Sequence, residues 1–210
     1  MGTQITKNQM NKDKNPKGEN HEAENKEPDK NAWKKELAEW IVVVVLAISV
    51  AVFINKFILV NARVPSASME NTVMTGDRLF GNRLSYRHSD PERGDIVIFK
   101  FPDDESQLFI KRIIGLPGET VEIIEGKVYI NGSSEPLNEP YLAQEMIGSF
   151  GPYVVPEGAY FMLGDNRNYS ADSRFWNNKF VYRDKILGKA VFRYYPLSSF
   201  GGIEYSNPEY

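Results

Sequence analysis

The chain contains no cysteine, and this absence excludes several kinds of functional site. Disulfides, thiolate metal sites and thiol nucleophiles are all ruled out across its 210 residues. Histidine is nearly as scarce, since only His21 and His88 are present. A Ser-His-Asp triad would have to use His88, because His21 lies in a strongly polar N-terminal region. Nucleophilic chemistry in this chain therefore points to a serine with some other base.

A surplus of positive charge is also missing. The chain has 25 lysine and arginine residues against 28 acidic ones, which gives a net charge of -3 and a pI near 5.6. Binding to a phosphate backbone usually needs a basic surplus, so nucleic acid is not an expected partner. The hydrophobic content of 41% is enough for one domain of ordinary size with appendages.

Residues 37–59 form a long apolar stretch that predicts a membrane anchor. Its central part, residues 41–54, contains no charged side chain. A helix of this length crosses a hydrocarbon core of about 30 Å at about 1.5 Å per residue, if Lys56 extends its amine to the interface. Residues 1–36 are rich in Lys, Glu and Asn and have few large apolar groups, so we expect a disordered tail.

Two alternatives to a permanent anchor stay open. Charge-free runs as short as residues 41–54 also occur in buried core helices. Residues 60–62, Val-Asn-Ala, have the small-residue spacing of a processing site, which would fit a cleaved secretory signal. The absence of a polar stripe favours the membrane, and the long mixed-charge segment upstream argues against a cleaved signal.

The flanking lysines predict the orientation of the anchor. Lys34 and Lys35 closely precede it, with further lysines upstream, whereas Lys56 and Arg63 lie at its end. Cytoplasmic flanks carry such an excess of positive residues. We therefore expect a single-pass protein of the cell membrane with a cytoplasmic N-terminus and an extracytoplasmic β-rich domain at residues 60–210.

Beyond the apolar stretch, the patterns are those of β-strands. Runs of β-branched and aromatic residues are separated by turn signals such as Glu125-Gly126 and Asn131-Gly132. These patterns indicate a mainly β fold, with an antiparallel, barrel-like sheet that follows a single transmembrane helix. The predicted strands cover residues 95–101, 108–114, 121–124, 127–130, 153–155, 160–163 and 185–195.

Lys111 is a candidate base on the strand predicted at residues 108–114. Side chains alternate along a strand, so Phe109, Lys111 and Ile113 share one face and Arg112 points to the other. Burial between apolar neighbours would lower the lysine pKa and give a neutral amine able to accept a hydroxyl proton. The plainer interpretation is an exposed lysine on an edge strand.

Two polar segments could join this lysine in one site. Residues 65–69, Pro-Ser-Ala-Ser-Met, offer two hydroxyls, although such serines often only cap a turn or helix. Residues 164–174 are almost entirely polar or small and follow an apolar strand, and Asp172 with Arg174 could form a charged pair. This segment could also be a solvated loop. Taken together, the segments predict a Ser-Lys site close to a membrane.

Six segments, in this order, resemble the type I signal peptidases of bacterial membranes. The resemblance covers nearly all of residues 37–200 and implies a membrane-bound serine endopeptidase with a mostly antiparallel β peptidase domain. Its substrates would be signal peptides of secreted preproteins, cut after a small-x-small motif. The matching segments are residues 65–69, 76–79, 93–97, 111–118, 164–167 and 170–174.

The resemblance also implies roles for individual side chains. Ser68 would be the acylating nucleophile, and Lys111 would be its general base. The Ser66 hydroxyl and the Ser68 backbone N–H would form the oxyanion hole, while Ser170 would hydrogen-bond Lys111 and orient it. Two further residues would brace the site from behind, Asp172 and Arg174.

The resemblance implies no metal and no organic cofactor. The expected partners are signal peptides of preproteins and membrane lipid, and the protein translocation machinery is a further candidate. An alkaline optimum is expected if Lys111 has to be neutral. The chain departs from the family pattern at Asn168 and Tyr169, where Asp and Asn are usual, and residues 132–151 match nothing assignable.

Three other functions remain as alternatives. A different serine hydrolase could use His88 as its base, but the chain has neither Gly-x-Ser-x-Gly nor Ser-x-x-Lys. A catalytically inert, membrane-anchored scaffold could share the same fold. A self-cleaving Ser-Lys repressor would need a DNA-binding region, and the N-terminal part of the chain offers none.

Overall fold

The computed structural model describes residues 31–205, so the predicted tail at residues 1–30 lies outside the described part. Helix α1 spans Ala32–Phe57. Residues 32–36, which the sequence placed in the disordered tail, are therefore helical. The charged residues Lys34, Lys35 and Glu36 are good helix formers and extend the apolar helix toward its N-terminus.

Helix α1 is long and apolar enough to cross a membrane from Trp33 to Phe57, with a mean hydropathy of 2.7 and no part of this window buried. It ends two residues before the predicted boundary, and strand β1 begins directly at Leu59. A core helix would bury one face at least. The side chains described along α1 are nearly all exposed, so the core-helix alternative does not describe this helix.

The rest of the described chain forms two antiparallel sheets, which confirms the predicted mainly β fold. The larger sheet has the strand order β1-β2-β10-β3-β4-β8-β9, with β11 paired to β10, and the smaller has the order β6-β5-β7. The strand bounds are β1 Leu59–Arg63, β2 Arg78–Asn82, β3 Ile96–Phe101, β4 Asp104–Gly115, β5 Thr120–Ile124, β6 Lys127–Ile130, β7 Phe150–Val154, β8 Ala159–Leu163, β9 Phe180–Tyr182, β10 Ile186–Tyr195 and β11 Gly201–Gly202.

Strand β4 is the element that positions the site. It changes partner at Arg112, where its pairing with β3 ends and its pairing with β8 begins, and residues 110–115 are all buried. Its first half pairs with β3, and its register with β8 begins only at Arg112. Lys111 therefore lies where β4 passes from an open edge into the buried interior of the sheet.

Candidate active site

Ser68 lies on a short 3-10 turn, Ala67–Met69, which follows strand β1. The turn is closed by hydrogen bonds from the Glu70 N–H to the Ala67 carbonyl at 3.1 Å and from the Val73 N–H to the Met69 carbonyl at 2.8 Å. Met69 is fully buried in the core and fixes the turn to the sheet. Packing of this apolar side chain holds the neighbouring serine in one place.

Lys111 reaches this serine from the buried half of β4. Its Nζ donates to the Ser68 Oγ at 2.6 Å and to the Ile110 carbonyl at 3.2 Å. The lysine is only 4% exposed, so the edge-strand interpretation is wrong. Burial lowers the pKa of Lys111 to about 8, against the opposing effect of the Asp172 and Asp165 carboxylates. A neutral amine in contact with the hydroxyl is thus available in mildly alkaline solution.

Ser66 lies beside the same hydroxyl on extended backbone. Its Oγ donates to the Ser68 Oγ at 3.4 Å, a long contact. The Ser66 side chain is exposed, whereas Ser68 is buried. The two hydroxyls therefore lie next to each other, with that of Ser66 on the solvent side and that of Ser68 on the protein side.

Ser170 is buried next to this region, but the hydrogen bond predicted between it and Lys111 is not formed. Within residues 31–205, the Ser170 Oγ has no hydrogen-bond partner, since the Lys111 amine is instead directed at Ser68 and at the Ile110 carbonyl. Ser170 packs against Gly164, where a Cβ would collide with both the Ser170 hydroxyl and the Ser68 carbonyl. Glycine at position 164 lets these groups come together.

Asp172 and Arg174 form the charged pair that the sequence suggested. Arg174 donates from Nε to the Asp172 Oδ1 and from Nη2 to Oδ2, both at 2.8 Å, and both side chains are buried. Asp172 also accepts from the Gly164 N–H at 3.1 Å, and Arg174 donates to the Arg167 carbonyl at 2.6 Å. The pair thereby fixes both ends of residues 164–167.

A second buried ion pair escaped the sequence reasoning. Arg112 donates to Asp165 from Nε at 2.8 Å and from Nη2 at 2.7 Å, with neither side chain exposed. The Thr72 hydroxyl donates to the same carboxylate at 2.5 Å. The signal was present, because an arginine on the buried face opposite Lys111 needs a carboxylate partner. The identity of that partner, 53 residues away, was not readable from the strand.

Asn166 is a further residue that the sequence reasoning did not assign. Its backbone N–H donates to the Ser68 carbonyl at 3.1 Å, and its side-chain amide donates to the Ala67 carbonyl at 3.0 Å. Two donors on one residue thus hold consecutive carbonyls of the turn that carries the serine. Such paired contacts fix both the position and the tilt of that turn.

Asn168, one of the departures from the family pattern, has a structural use. Its Oδ1 accepts from the Ile147 N–H and its Nδ2 donates to the Glu145 carbonyl, both at 3.0 Å. A carboxylate could accept the first bond but could not donate the second. The amide therefore ties residues 145–147, part of the unassigned segment, to the polar loop.

A groove of about 370 Å³ opens beside the two serines. The other departure, Tyr169, lies in its wall and is 73% exposed. Apolar groups make up most of the groove, as is usual for a binding cleft. The lining residues are Arg63, Val64, Pro65, Ser66, Ser68, Met69, Gln107, Leu108, Phe109, Ile110, Lys111, Tyr169 and Ala171.

His88 lies in an exposed loop after the 3-10 turn Arg83–Tyr86. The hydroxyl of Ser68 is in contact with Lys111 instead, so the geometry gives no support to a histidine base. Among residues 31–205, no group of three or more His, Asp or Glu side chains is placed to hold a metal ion.

Comparison with known proteins identifies the family of the chain. The family model described as "Signal peptidase, peptidase S26" matches residues 37–195, three quarters of the chain. The chain belongs to the signal peptidase family. This membership confirms the predicted enzyme class, a serine peptidase that cleaves signal peptides.

The similarity to individual signal peptidases extends over most of the chain. A probable signal peptidase I-2 of Synechocystis sp. is 42% identical over 180 residues, which is 83% of this chain and 78% of that protein. Signal peptidase IB of Staphylococcus aureus is 33% identical over 185 residues, 80% of this chain and 94% of that protein. A solved signal peptidase I from Enterococcus faecalis V583 is 39% identical, with a TM-score of 0.42, and its match covers 48% of this chain and 97% of that one.

Proposed function

We propose that the chain is a membrane-anchored Ser-Lys endopeptidase that removes signal peptides after small-x-small motifs. The observation that carries this proposal is the 2.6 Å contact between the Lys111 Nζ and the Ser68 Oγ. A nucleophile within hydrogen-bond reach of its base is the arrangement that acyl transfer requires. The burial of Lys111 provides the depressed pKa that a lysine base needs.

The proposed reaction is acyl transfer in two halves. Neutral Lys111 accepts the proton of the Ser68 hydroxyl as Ser68 attacks the scissile carbonyl, and the resulting ammonium returns that proton to the leaving amine. Water then enters, Lys111 removes its proton, and the ester to Ser68 is hydrolysed. The Ser66 hydroxyl and the Ser68 N–H serve as donors to the oxyanion, a role for which single donors are worth a few kcal/mol.

The substrate would bind as an extended chain along the groove. Residues 107–110 belong to the half of β4 that precedes its register with β8, and residues 63–66 also line the groove. Strand addition suits signal peptides, since main-chain hydrogen bonds do not depend on the variable sequence around the cut. Shallow apolar walls then select small side chains.

We further propose the arrangement of the protein at the cell membrane. Residues 37–59 would be the anchor, residues 1–36 would be cytoplasmic and residues 60–210 extracytoplasmic, as the flanking lysines indicate. The support is the exposed apolar helix α1, whose end is followed at once by β1. Membrane lipid and the translocation machinery are the partners that this placement would bring near the groove.

Cleavage of a purified preprotein by the full chain in detergent tests the proposal. The new N-terminus of the product should follow a small-x-small sequence, as read by N-terminal sequencing. A preprotein with a large aromatic residue just before the cut should remain intact. Absence of any cleavage, or cleavage at positions unrelated to small residues, would contradict the proposed substrate class.

Activity should rise with pH through the titration of Lys111. The base works only when neutral, and its pKa of about 8 means that most molecules are protonated and inactive at pH 6. We expect the kcat/KM of a peptide substrate to increase about tenfold per pH unit below pH 7 and to level off above pH 9. A profile that is already flat between pH 6 and 7.5 would argue against a lysine base.

Replacing Tyr169 with Asn, the residue usual in the family, should weaken substrate binding. The aromatic ring contributes wall area to the groove, and losing part of it corresponds to ~1 kcal/mol, or about fivefold in KM. The kcat should change little, because the ring is a wall of the groove and takes no part in proton transfer or in attack on the carbonyl. Tyr182→Asn is the matched control, since Tyr182 is 51% exposed on β9 and lies outside the groove. Equal KM values for both variants would refute the role of Tyr169.

A further inference from the structure

Glu139 and Tyr141 form a largely buried polar cluster with Arg167 that the proposed reaction does not use. Arg167 donates from Nη1 to the Glu139 Oε2 at 2.8 Å and from Nη2 to Oε1, and the Tyr141 hydroxyl donates to Oε1 at 2.5 Å. The Arg167 side chain is fully buried and that of Glu139 is 5% exposed. Burial raises the pKa of Tyr141, so its hydroxyl stays protonated and remains a donor.

The first connection from this cluster to the site runs through Arg167. The Nε of Arg167 donates to the Gly164 carbonyl at 3.1 Å, so Glu139 holds the outer end of a side chain that bridges residues 164–167. Asn166, within that bridge, donates to the carbonyls of Ala67 and Ser68. Movement of the Arg167 side chain would therefore be passed to the turn that carries the nucleophile.

The second connection runs through Tyr141 and Arg112. The guanidinium of Arg112 lies over the Tyr141 ring, 3.8 Å from its centroid. Arg112 directly follows Lys111 on β4 and forms the bidentate pair with Asp165. The Tyr141 ring thus packs on the Arg112 guanidinium, which links strand β4 to residues 164–167.

We propose that Glu139 and Tyr141 are positioning residues that hold the Ser68 turn in register with Lys111. The inference rests on the Ser-Lys function proposed above. It gives a task to the segment at residues 132–151, which no sequence motif explained. The two connections end on opposite partners of the 2.6 Å contact, the serine turn and the lysine strand. A displacement of about 1 Å between such partners can cost about a hundredfold in rate.

Glu139→Gln tests this inference in the full chain in detergent. The amide keeps the shape of the side chain but cannot provide two acceptor oxygens to Arg167. We expect kcat to fall about tenfold or more, with KM for a signal-peptide substrate changed less than twofold. Glu145→Gln is the matched control, because Glu145 lies in the same segment with an exposed side chain. It should retain wild-type kcat.

The pH profile separates positioning from a loss of folded protein. If the turn loosens, water reaches Lys111, its burial decreases and its pKa rises from about 8 toward 10.5. The rising limb of kcat/KM should then move at least half a pH unit upward in Glu139→Gln. A purely structural role would lower the rate by one factor at every pH, and that result would overturn the inference.

A second variant covers the case in which Glu139→Gln does not fold. Tyr141→Ala removes the ring over Arg112 without leaving a buried charge unpaired, and it should show the same upward shift with a loss of kcat. Wild-type kinetics and an unshifted profile in the folded variant would overturn the inference while leaving the Ser-Lys function intact. Failure of the wild type to cut the substrate would instead refute the proposed function, and the inference with it.

Discussion

Lys111→Ala should lose cleavage of a preprotein by about 10³-fold or more while the protein remains folded. The lysine donates hydrogen bonds to the Ser68 hydroxyl and to one backbone carbonyl, and no carboxylate within residues 31–205 forms an ion pair with it. Its removal leaves a small apolar gap without an unpaired charge. General base catalysis contributes about 10²–10⁴-fold, and this site offers no second base beside Ser68 in the part of the chain described. The measurement is kcat/KM at pH 9 with a synthetic signal peptide.

Matched variants distinguish the dyad from general damage. Ser68→Ala should be as inactive as Lys111→Ala, and the double variant no worse than either, since a nucleophile and its base act as one unit. Lys127→Ala removes an exposed lysine of β6, and His88→Ala removes the alternative base; both should retain wild-type activity. Full activity in Lys111→Ala would overturn the mechanism.

The sequence could predict the burial of Lys111 as one option but not establish it. Alternation places the lysine between Phe109 and Ile113, yet an edge strand would show the same pattern. Burial follows from β8, which pairs with β4 from Arg112 onward. That pairing joins segments about fifty residues apart, and such register is set by tertiary packing.

The strands also differ in how far their local sequence predicts them. Seven predicted strands correspond to β3–β8 and β10. Six of them have β-branched or aromatic runs bounded by turn residues, whereas the prediction at residues 153–155 meets only the end of β7, which begins at Phe150. Four short strands, β1, β2, β9 and β11, were not predicted as such. β1 continues directly from the apolar helix, and β2 contains Gly81, which packs against Val60 and Ile98 where a larger residue would collide. Their strand character comes from their partners.

Contacts within one loop of the site could be predicted from the sequence, whereas contacts between distant segments could not. The Asp172–Arg174 pair lies within one loop, so proximity in sequence was enough to suggest it. The partners of Arg112 and Arg167 depend on how distant loops pack. For Ser170 the resemblance predicted the position but not the contact. The residue lies at the site, but its expected hydrogen bond to Lys111 is not formed.

Asp165→Ala should destabilise the protein by about 3–5 kcal/mol, because it leaves Arg112 buried without its counter-ion. Both side chains are fully buried, and the carboxylate also accepts from Thr72. For a domain of this size, the loss corresponds to roughly 6–20 °C in Tm. Thermal unfolding of the full chain in detergent measures it. The control is Asp90→Ala, which removes an 87% exposed carboxylate 3.4 Å from Arg183 and should cost less than about 1 kcal/mol.

The double variant Arg112→Leu/Asp165→Leu tests the reason for that loss. If the cost of Asp165→Ala comes from an unpaired buried cation, replacing both partners with apolar residues of similar volume should restore much of the lost Tm. If the cost comes from the carboxylate's bond to Thr72, the double variant should stay as unstable as the single one. Restored stability without restored cleavage would further show that the ion pair fixes geometry as well as fold, since Asp165 is followed by Asn166, whose two donors hold the Ser68 turn.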